Sequence, residues 1–386
     1  VINRNDIIEN YPDKIKNNND KNILTVNTSG STRNPVTLYM DSYTLMRALI
    51  AYVREMRQYG IHWAKSKITI IANFYSQTAP TQYFNSGTNP TFKIIKPLIS
   101  LKNIQTINAD DDLLEITKKV DKFNPECILG FPGPLRHIAI YKQKGYAKNI
   151  NPKCIISSGC LISSYQKKFI SKVFNTPVYD VYGATEAGPI AFECECNNFH
   201  INSDFVYLET IDKNGNKIKK DKPGRLALTR LYGRGTPLIR YTGLGDVIIL
   251  SSKKCSCGRD TDILKEVCGR IKETIVLPDR IIFPNALNEI PDKVMWDLDT
   301  DKIERLQIVQ NSLKKITVNV IINKKKRNSK PSVKKLFNEL KNQYQKIVGN
   351  KVMIQIKEVK KLVSEEKNVE STPGIIPSIN ADKYIS

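Results

Sequence analysis

Residues 178–200, VYDVYGATEAGPIAFECECNNFH, decide how the rest of the chain is read. The segment PVYDV has the β-branched and aromatic composition of a strand and delivers Tyr182 to its carboxyl end. In α/β proteins ligands bind at that edge of the sheet, where an aromatic ring offers a face to a base. Thr185 follows with a hydroxyl for a phosphate oxygen, and Glu186 with a carboxylate suited to magnesium, which takes oxygen ligands. The bland alternative is a strand end with a polar cap. The second half of the stretch carries Cys194, Cys196 and His200, residue types that hold metals, so one segment poses two questions.

The surrounding text supplies the framework. ITIIANF, LISLKNIQTI, DDLLEITKKVDKF, CILGF, PLRHIAIYKQKGY, CIISSG and SSYQKKFISKVF alternate strand-like and helix-like patterns, the rhythm of α/β units around a largely parallel sheet. From about Phe205 the pattern becomes VYLETIDKNGNKIKKDKPGRLALTRL, where Asn214-Gly215 and Pro223-Gly224 read as turns in a mainly antiparallel β region. After Gly269-Arg270 come RLQIVQNSLKKITVNVII, the helical SVKKLFNELKNQYQKIVG and KVMIQIKEV, enough for a small α+β domain. The expected fold class is α/β. A large N-terminal domain, 1–270, has a mainly parallel sheet and a β-rich part at 205–268; a small α+β domain follows at 271–386.

Composition narrows the class. No apolar run in the 386 residues approaches the roughly 20 needed to span a bilayer, and the polar opening lacks the apolar core of a signal peptide and an initiator methionine. The expectation is a cytoplasmic protein without a membrane partner, shortened at its start. Eight unevenly spaced cysteines point to metal binding or inert thiols rather than to a disulfide framework. The net charge of +22 is spread widely, with NKKKRNSK at 323–330 as a dense run, and reads as a solvated basic surface more readily than as a nucleic-acid face.

Two further segments carry chemistry. LTVNTSGSTRNPVTLYM places Thr28, Ser29, Gly30, Ser31 and Thr32 after a short strand, a composition that wraps phosphate oxygens or simply makes a turn; it lacks the ending of a Walker A loop. TPLIRYTGLGDVIIL puts Asp246 in a glycine-rich turn, where a carboxylate accepts both hydroxyls of a ribose.

Taken together, NTSGSTRNP, VYGATEAG, LIRYTGLGD and CGRIKETIVLPDRIIFP resemble the adenylate-forming superfamily, in particular its phenylacetate-CoA ligase-like branch, over nearly the whole chain. The resemblance implies a ligase that couples a carboxylic acid to ATP, giving an acyl-adenylate and pyrophosphate, and then passes the acyl group to coenzyme A. It assigns Thr28, Ser29, Gly30, Ser31 and Thr32 to the phosphate loop, Tyr182 and Gly183 to the adenine edge with Ser158 and Gly159 lining it, and Thr185 to a phosphate contact. Glu186 becomes the magnesium ligand, Asp246 and Arg270 ribose contacts, and Lys272 the hinge of the small domain. Lys383, in PSINADK, stands where the family has its catalytic lysine, although Asp382 replaces a glycine; the loop after Thr32 reads Arg33-Asn34-Pro35 where the family has Gly-Lys-Pro, and RYTGLGD is one residue longer than usual.

For the metal, the residues alone leave zinc and ordinary loop thiols equally open. The resemblance favours a closed structural zinc site of Cys194, His200, Cys255 and Cys257, with Cys196 as the competitor of Cys194, holding the β region beside the nucleotide edge. His62 and His137 read as surface or packing histidines, and Cys127, Cys154, Cys160 and Cys268 as inert thiols. The loop Gly130 to Pro134, His137, Phe74, Tyr75 and Phe131 are candidates for the acid pocket, so an aromatic acid is one candidate substrate. Three alternatives stand beside the CoA ligase: transfer to a different acceptor, a nucleotide-binding relative with little catalysis, and a basic zinc protein that binds nucleic acid. The motifs do not name the acid, the acceptor or the oligomeric state.

Overall fold

The computed structural model describes residues 1–10, 23–28, 36–74, 101–233, 235–363 and 374–385. Within them β3 (Ile68–Ala72), β4 (Ile104–Asn108), β5 (Cys127–Gly130), β6 (Cys154–Ser158) and β7 (Val178–Ala184) form a parallel array in the order β4-β3-β5-β6-β7. Helices α3 (Leu113–Phe123), α4 (Pro132–Gln143) and α5 (Ser164–Phe174) connect them. Their ends are written locally. Asp112 and Ser163 accept hydrogen bonds from the first-turn amides of α3 and α5, prolines stand in the first turn of α4, and Asn124 and Asn175 close α3 and α5 at φ near 50°. All five residues of β3 are buried, as a parallel strand covered on both faces requires. One face packs on these helices through Ile116, Val120, Leu135 and Ile170; the other meets α2 (Ser42–Gln58) through Met56, Tyr59 and Trp63.

At β7 the sheet changes sense. The chain turns through residues 184–187 into β8 (Gly188–Glu193), and the same sheet continues antiparallel through β9 (Phe199–Ile201), β13 (Ile263–Arg270), β12 (Asp246–Leu250), β11 (Pro223–Arg230) and β10 (Val206–Ile211). The antiparallel part therefore begins at Gly188, earlier than the change of pattern at Phe205, because the apolar run of β8 is itself its first strand. Asn214-Gly215 is a turn, with Gly215 at φ 84°. Pro223-Gly224 is not; it opens β11, where a Cβ on Gly224 would lie 2.8 Å from Ile218, so the glycine serves close packing. A hairpin of β1 (Ile23–Asn27) and β2 (Thr37–Asp41) covers this half.

The chain leaves the large sheet at Arg270. A second core then forms around β16 (Ile303–Ser312), β17 (Lys315–Ile322), β18 (Met353–Glu358) and β19 (Ile375–Ile376), in the order β18-β17-β16-β19, with α6 (Pro284–Asp297) and α7 (Val333–Val348). The dense basic run forms a short turn rather than a helix face: fully buried Lys302 donates to the carbonyls of Lys326, Arg327 and Ser329 at 2.6–3.1 Å. Among the described residues no helix is long and apolar enough to cross a membrane.

Beneath the β7–β8 pair lies a buried charge network. Lys167 pairs with Glu193, whose other oxygen accepts the Asp180 amide at 2.8 Å. Burial, and then the neighbouring Glu193, raise the Asp180 carboxyl from the ordinary 3.8 to about 7. Between those values the folded protein holds a proton that the unfolded chain releases, so this stabilisation is present below pH 3.8 and is lost as pH rises through 7. Asp180→Asn should flatten the decline of melting temperature between about pH 4 and 7. Parallel wild-type and variant curves across that range would show that Asp180 does not titrate there.

Candidate functional site

The turn between β7 and β8 presents Thr185 and Glu186, and the strand before it presents Tyr182. Tyr182 donates to Asp246 Oδ2 at 2.6 Å. Asp246 opens β12 and lies in register opposite Arg270, the last residue of β13. These side chains meet because the sheet's pairing lapses here: β9 joins β13 only at Ile263 and Leu264, the end away from Arg270. The Tyr182 hydroxyl thus bridges two parts of the sheet across a cleft at the carboxyl end of the parallel strands. Burial, helped by the Asp246 charge, keeps the phenol protonated, while burial raises the Asp246 carboxyl against the opposing pull of Tyr182 and Arg270.

Glu186 is 6% exposed. Burial raises its carboxyl, against its own backbone amide and the charges of Arg4 and Arg270, so a cation brought beside it would favour the ionised form. Its donor chemistry fits magnesium. Arg230, from β11, fixes the turn by donating to the Glu186 carbonyl at 3.2 Å and the Thr236 carbonyl at 2.5 Å. Gly183 is needed for closeness: a Cβ there would lie 3.0 Å from the Gly188 carbonyl oxygen.

Ser158 ends β6, with its hydroxyl 3.4 Å from the Val181 carbonyl. Gly159 follows at φ 85°, and a Cβ on it would lie 2.3 Å from the Phe131 ring. Phe131 therefore packs directly on the strand-end segment. Tyr52, half-buried on α2, hydrogen-bonds with the Ser158 side chain. Thr28 Oγ1 accepts the Val36 amide at 2.9 Å and Arg4 Nη2 at 3.3 Å. The other phosphate-loop candidates, Ser29, Gly30, Ser31 and Thr32, and the pocket candidate Tyr75 lie outside the described residues.

Lys272 sits in a short turn, Ile271–Glu273, directly after Arg270. Partial burial and then the charges of Arg270 and Arg4 push its ammonium down. The turn holding Lys383, Ala381–Lys383, packs beside it, and Arg225 Nη2 donates to the Asp382 carbonyl at 2.5 Å. Ala381 and Ile385 anchor this turn on Val247, Cys268 and Val276. His137 Nδ1 meets the Gly133 carbonyl of its own helix at 3.0 Å, and burial pushes the imidazole pKa down. Cys127, Cys154 and Cys268 are buried as expected, whereas Cys160 is exposed, because it lies past the end of β6.

The metal candidates converge. One donor atom from each of Cys194, His200, Cys255 and Cys257 lies within 4.8 Å of every other, with Cys194 Sγ to Cys255 Sγ at 3.6 Å and Cys257 Sγ to His200 Nε2 at 3.2 Å. Tetrahedral zinc with about 2.3 Å bonds to sulfur sets its ligands roughly 3.5–3.8 Å apart, so the donor set fits. His200 Nδ1 meets Thr261 Oγ1 at 2.8 Å, which leaves Nε2 for a metal. Cys196 points elsewhere, to the Ser256 hydroxyl at 3.4 Å. Burial opposes ionisation of Cys255, but hydrogen bonds from the Cys257 amide, His200 and the two neighbouring thiols outweigh it and bring it down to about 6.

The position of the cluster departs from expectation. Since β8 runs antiparallel to β7, it carries the chain away from Tyr182, and Cys194 ends at the far side of the sheet; Cys255 and Cys257 lie in the loop between β12 and β13, opposite Asp246 and Arg270. The metal candidates and the nucleotide edge are at opposite ends of the same strands. Arg4, Arg225, Arg230, Tyr52 and Thr261 were not identifiable from sequence. Only Arg230, at the end of the apolar strand β11, left a trace, as a charge in phase with the buried Leu226 and Leu228.

No protein-family model matches the chain. Among curated proteins it is 26% identical over 346 residues to Protein CapK of Staphylococcus aureus, across 88% of this chain and 72% of that protein. It is also 28% identical over 116 residues to the phenylacetate-coenzyme A ligase of Thermus thermophilus, 29% of this chain and 26% of that protein. Among solved structures it superposes on 2-hydroxyisobutyryl-CoA ligase in the postadenylation state with a TM-score of 0.70, at 16% identity, over 94% of this chain and 75% of that one. Against the same enzyme in its thioesterification state the score is 0.54 over the same shares. The fold is that of the adenylate-forming ligases, as the motifs indicated.

If the four donors bind zinc, protein purified without chelator should contain about one zinc per chain, and Cys257→Ser should shed it and melt lower. Cys196→Ser should be nearly silent. Metal analysis without zinc, or a Cys257→Ser protein with unchanged melting temperature, would defeat the assignment.

Proposed function

We propose that the protein activates a carboxylic acid with ATP, forming an acyl-adenylate and pyrophosphate, and then passes the acyl group to coenzyme A or another acceptor. The observation that carries this reading is the meeting of Tyr182, Asp246 and Arg270 at the carboxyl edge of the sheet, beside the Thr185–Glu186 turn. In the fold of adenylate-forming ligases this is a nucleotide cleft built from segments far apart in sequence.

The roles follow from the chemistry of each group. Asp246 and Arg270 hold the ribose, the carboxylate accepting its hydroxyls. Tyr182 and Gly183, with Ser158 and Gly159, bound the adenine; the bond to Asp246 fixes the Tyr182 ring for stacking. Thr28, Ser29, Gly30, Ser31 and Thr32 wrap the phosphates, and Thr185 adds a hydroxyl. Glu186 holds magnesium, which when bound offsets charge on the phosphates. The attacking carboxylate is already an anion, so no general base is required. Phe131, seated on Gly159, forms a wall beside the adenylate, which fits a compact acid and includes small aromatic ones.

The domain scheme, 1–270 and 271–386 with Lys272 as hinge, gives the second half-reaction a route: rotation of the small domain replaces Lys383 beside the cleft by the acceptor. A four-ligand zinc site would be structural, distant from this chemistry. One observation favours a second reading, a nucleotide-binding relative with little catalysis. Asp382, in place of the expected glycine, pairs with Arg225 at 3.5 Å, so the turn that carries Lys383 is tied to β11 by a side chain that a glycine would not supply.

Pyrophosphate release across aryl, aliphatic and amino acids separates the two readings. Release with at least one acid supports the ligase, whereas ATP binding with no release across the panel supports the second. Within the ligase reading, Glu186→Gln should bind ATP and lose at least about tenfold in pyrophosphate release, since an amide holds magnesium poorly. Asp246→Ala should weaken binding of ATP and adenosine alike. Wild-type release from the glutamine variant would remove Glu186 from the metal role, and unchanged affinities in Asp246→Ala would move the ribose elsewhere.

A further inference from the structure

Three helices each present one face to a common cavity of about 360 Å³, and no residue assigned to the nucleotide cleft lines it. Arg136 on α4 and Lys144 at its C-terminal end, about two turns apart, form one wall. Tyr165, Phe169 and Lys172 stand along one side of α5, and Met295 and Trp296 come from α6. The helices α4 and α5 pack on the parallel sheet, whereas α6 belongs to the second core, so the cavity exists only where the two cores meet.

The charges in these walls are unevenly satisfied. Asp292 accepts a bond from Gln166 at 3.3 Å, Asp301 pairs with Lys326, and Asp299 is exposed. Burial raises the Asp292 carboxyl, against bonds from Ser163 and Gln166 and the charge of Arg136. The cations have poorer partners. Among the described residues Arg136 forms no ion pair; its half-buried guanidinium donates to the Met295 sulfur at 3.5 Å, a weak acceptor for a full charge. Lys172 lies 5.5 Å from the centre of the Trp296 ring and Lys144 5.4 Å from that of Tyr141, contacts with rings rather than with carboxylates. A guanidinium that has given up water for a thioether gains a charge-assisted bond from any anion placed in the cavity.

The rest of the lining selects the body of such an anion. Trp296 is 37% exposed and Phe169 half-buried, while Ile140 and Met295 are buried. Ring faces and aliphatic side chains accept a flat apolar group. The volume lies at the lower end of the roughly 300–1,000 Å³ of small-molecule pockets, which sets a compact occupant. We propose that this cavity is a second small-molecule site, which takes a compact organic anion with its apolar ring among Phe169, Tyr165 and Trp296 and its charged group on Arg136. The inference does not rest on the ATP reading. Since the walls belong to both cores, an occupant favours the arrangement described here over one in which they part.

Benzenesulfonate, one ring with one permanent negative charge, is the probe. The chain has two tryptophans, of which Trp63 is buried and outside the lining, so the tryptophan emission of the full chain reports on the cavity through Trp296. Titration should give a saturable change in the wild-type emission that disappears in Trp296→Phe. Arg136→Gln should weaken the fitted affinity about tenfold, the loss expected for one charge-assisted bond, and Arg136→Lys should lose less. Benzyl alcohol, a ring without the charge, should bind more weakly than benzenesulfonate by a similar factor. No saturable change, a change that persists in Trp296→Phe, an unaltered affinity in Arg136→Gln or an equal affinity for the alcohol would each overturn the proposal. If Arg136→Gln does not fold, Lys172→Gln carries the comparison, a weakened affinity supporting the site and an unchanged one overturning it.

Discussion

The hydrogen bond from Tyr182 to Asp246 is the contact on which the cleft depends. Along most of the large sheet, backbone pairing fixes how neighbouring strands sit. β7 stays paired with β8 to its carboxyl end, but next to that pair the sheet's pairing gives way, since β9 reaches β13 only at the opposite end. A side-chain bond then sets the separation of the parallel and antiparallel halves. The phenol and the carboxylate are half-buried, so leaving them unpaired is unfavourable, and their bond draws the two halves together at this point. The same spacing defines the room between the β7–β8 turn and the Asp246–Arg270 pair.

The Cys/His cluster bears on this from the other side. β8, β9 and β13 are joined by backbone bonds at the end where Cys194, His200, Cys255 and Cys257 converge. A metal there would lock the end that is already paired and leave the Tyr182 end to be closed by side chains and ligand. Two short strands, of three and six residues, contribute to this corner, and such strands have few ladder bonds of their own. A metal crosslink there would act at the base of the sheet, at the end away from Tyr182 and Asp246.

How much of this was legible follows from where the information resides. The α/β rhythm was readable because a strand buried on both faces, such as Ile68–Ala72, must be continuously apolar, and because each connecting helix carries its own cap. Residue type marked the cysteines and His200 as candidates, but the set Cys194, His200, Cys255 and Cys257, with Cys194 ahead of Cys196, came from the resemblance, and their convergence is visible only in the fold. The side of the sheet on which they lie was not legible, since it depends on β8 reversing direction through residues 184–187. Pro223-Gly224 misled for a related reason: the glycine answers to Ile218 and Thr210 packed against it, a tertiary demand that outweighs its turn preference. Arg4 and Arg230 left little signal because a single arginine acquires meaning only from what the fold brings to it.

The contacts between the large sheet and the second core bear on the proposed rotation. Ser164, at the start of α5, gives its amide and hydroxyl to the two oxygens of Glu289 at 2.8 and 2.7 Å, and Gln166 reaches Asp292 at 3.3 Å. Arg225 holds the Asp382 carbonyl, and Ala381 and Ile385 rest on a small apolar patch. The Ser164–Glu289 and Arg225–Asp382 bonds are polar, and water replaces each as it opens at a net loss of about 1 kcal/mol apiece, whereas Val247, Cys268, Val276, Ala381 and Ile385 form a small buried apolar cluster across the boundary. A large apolar interface would fix the arrangement; a few exchangeable bonds leave it within reach of the difference in binding energy between ATP and the adenylate. The Glu289 clamp also sits on the start of α5, where the helix dipole favours a carboxylate, which gives the arrangement a defined register rather than a loose one. The proposed rotation about Lys272 would have to release the clamp and the Asp382 contact together, which would favour two discrete positions over a flexible tether.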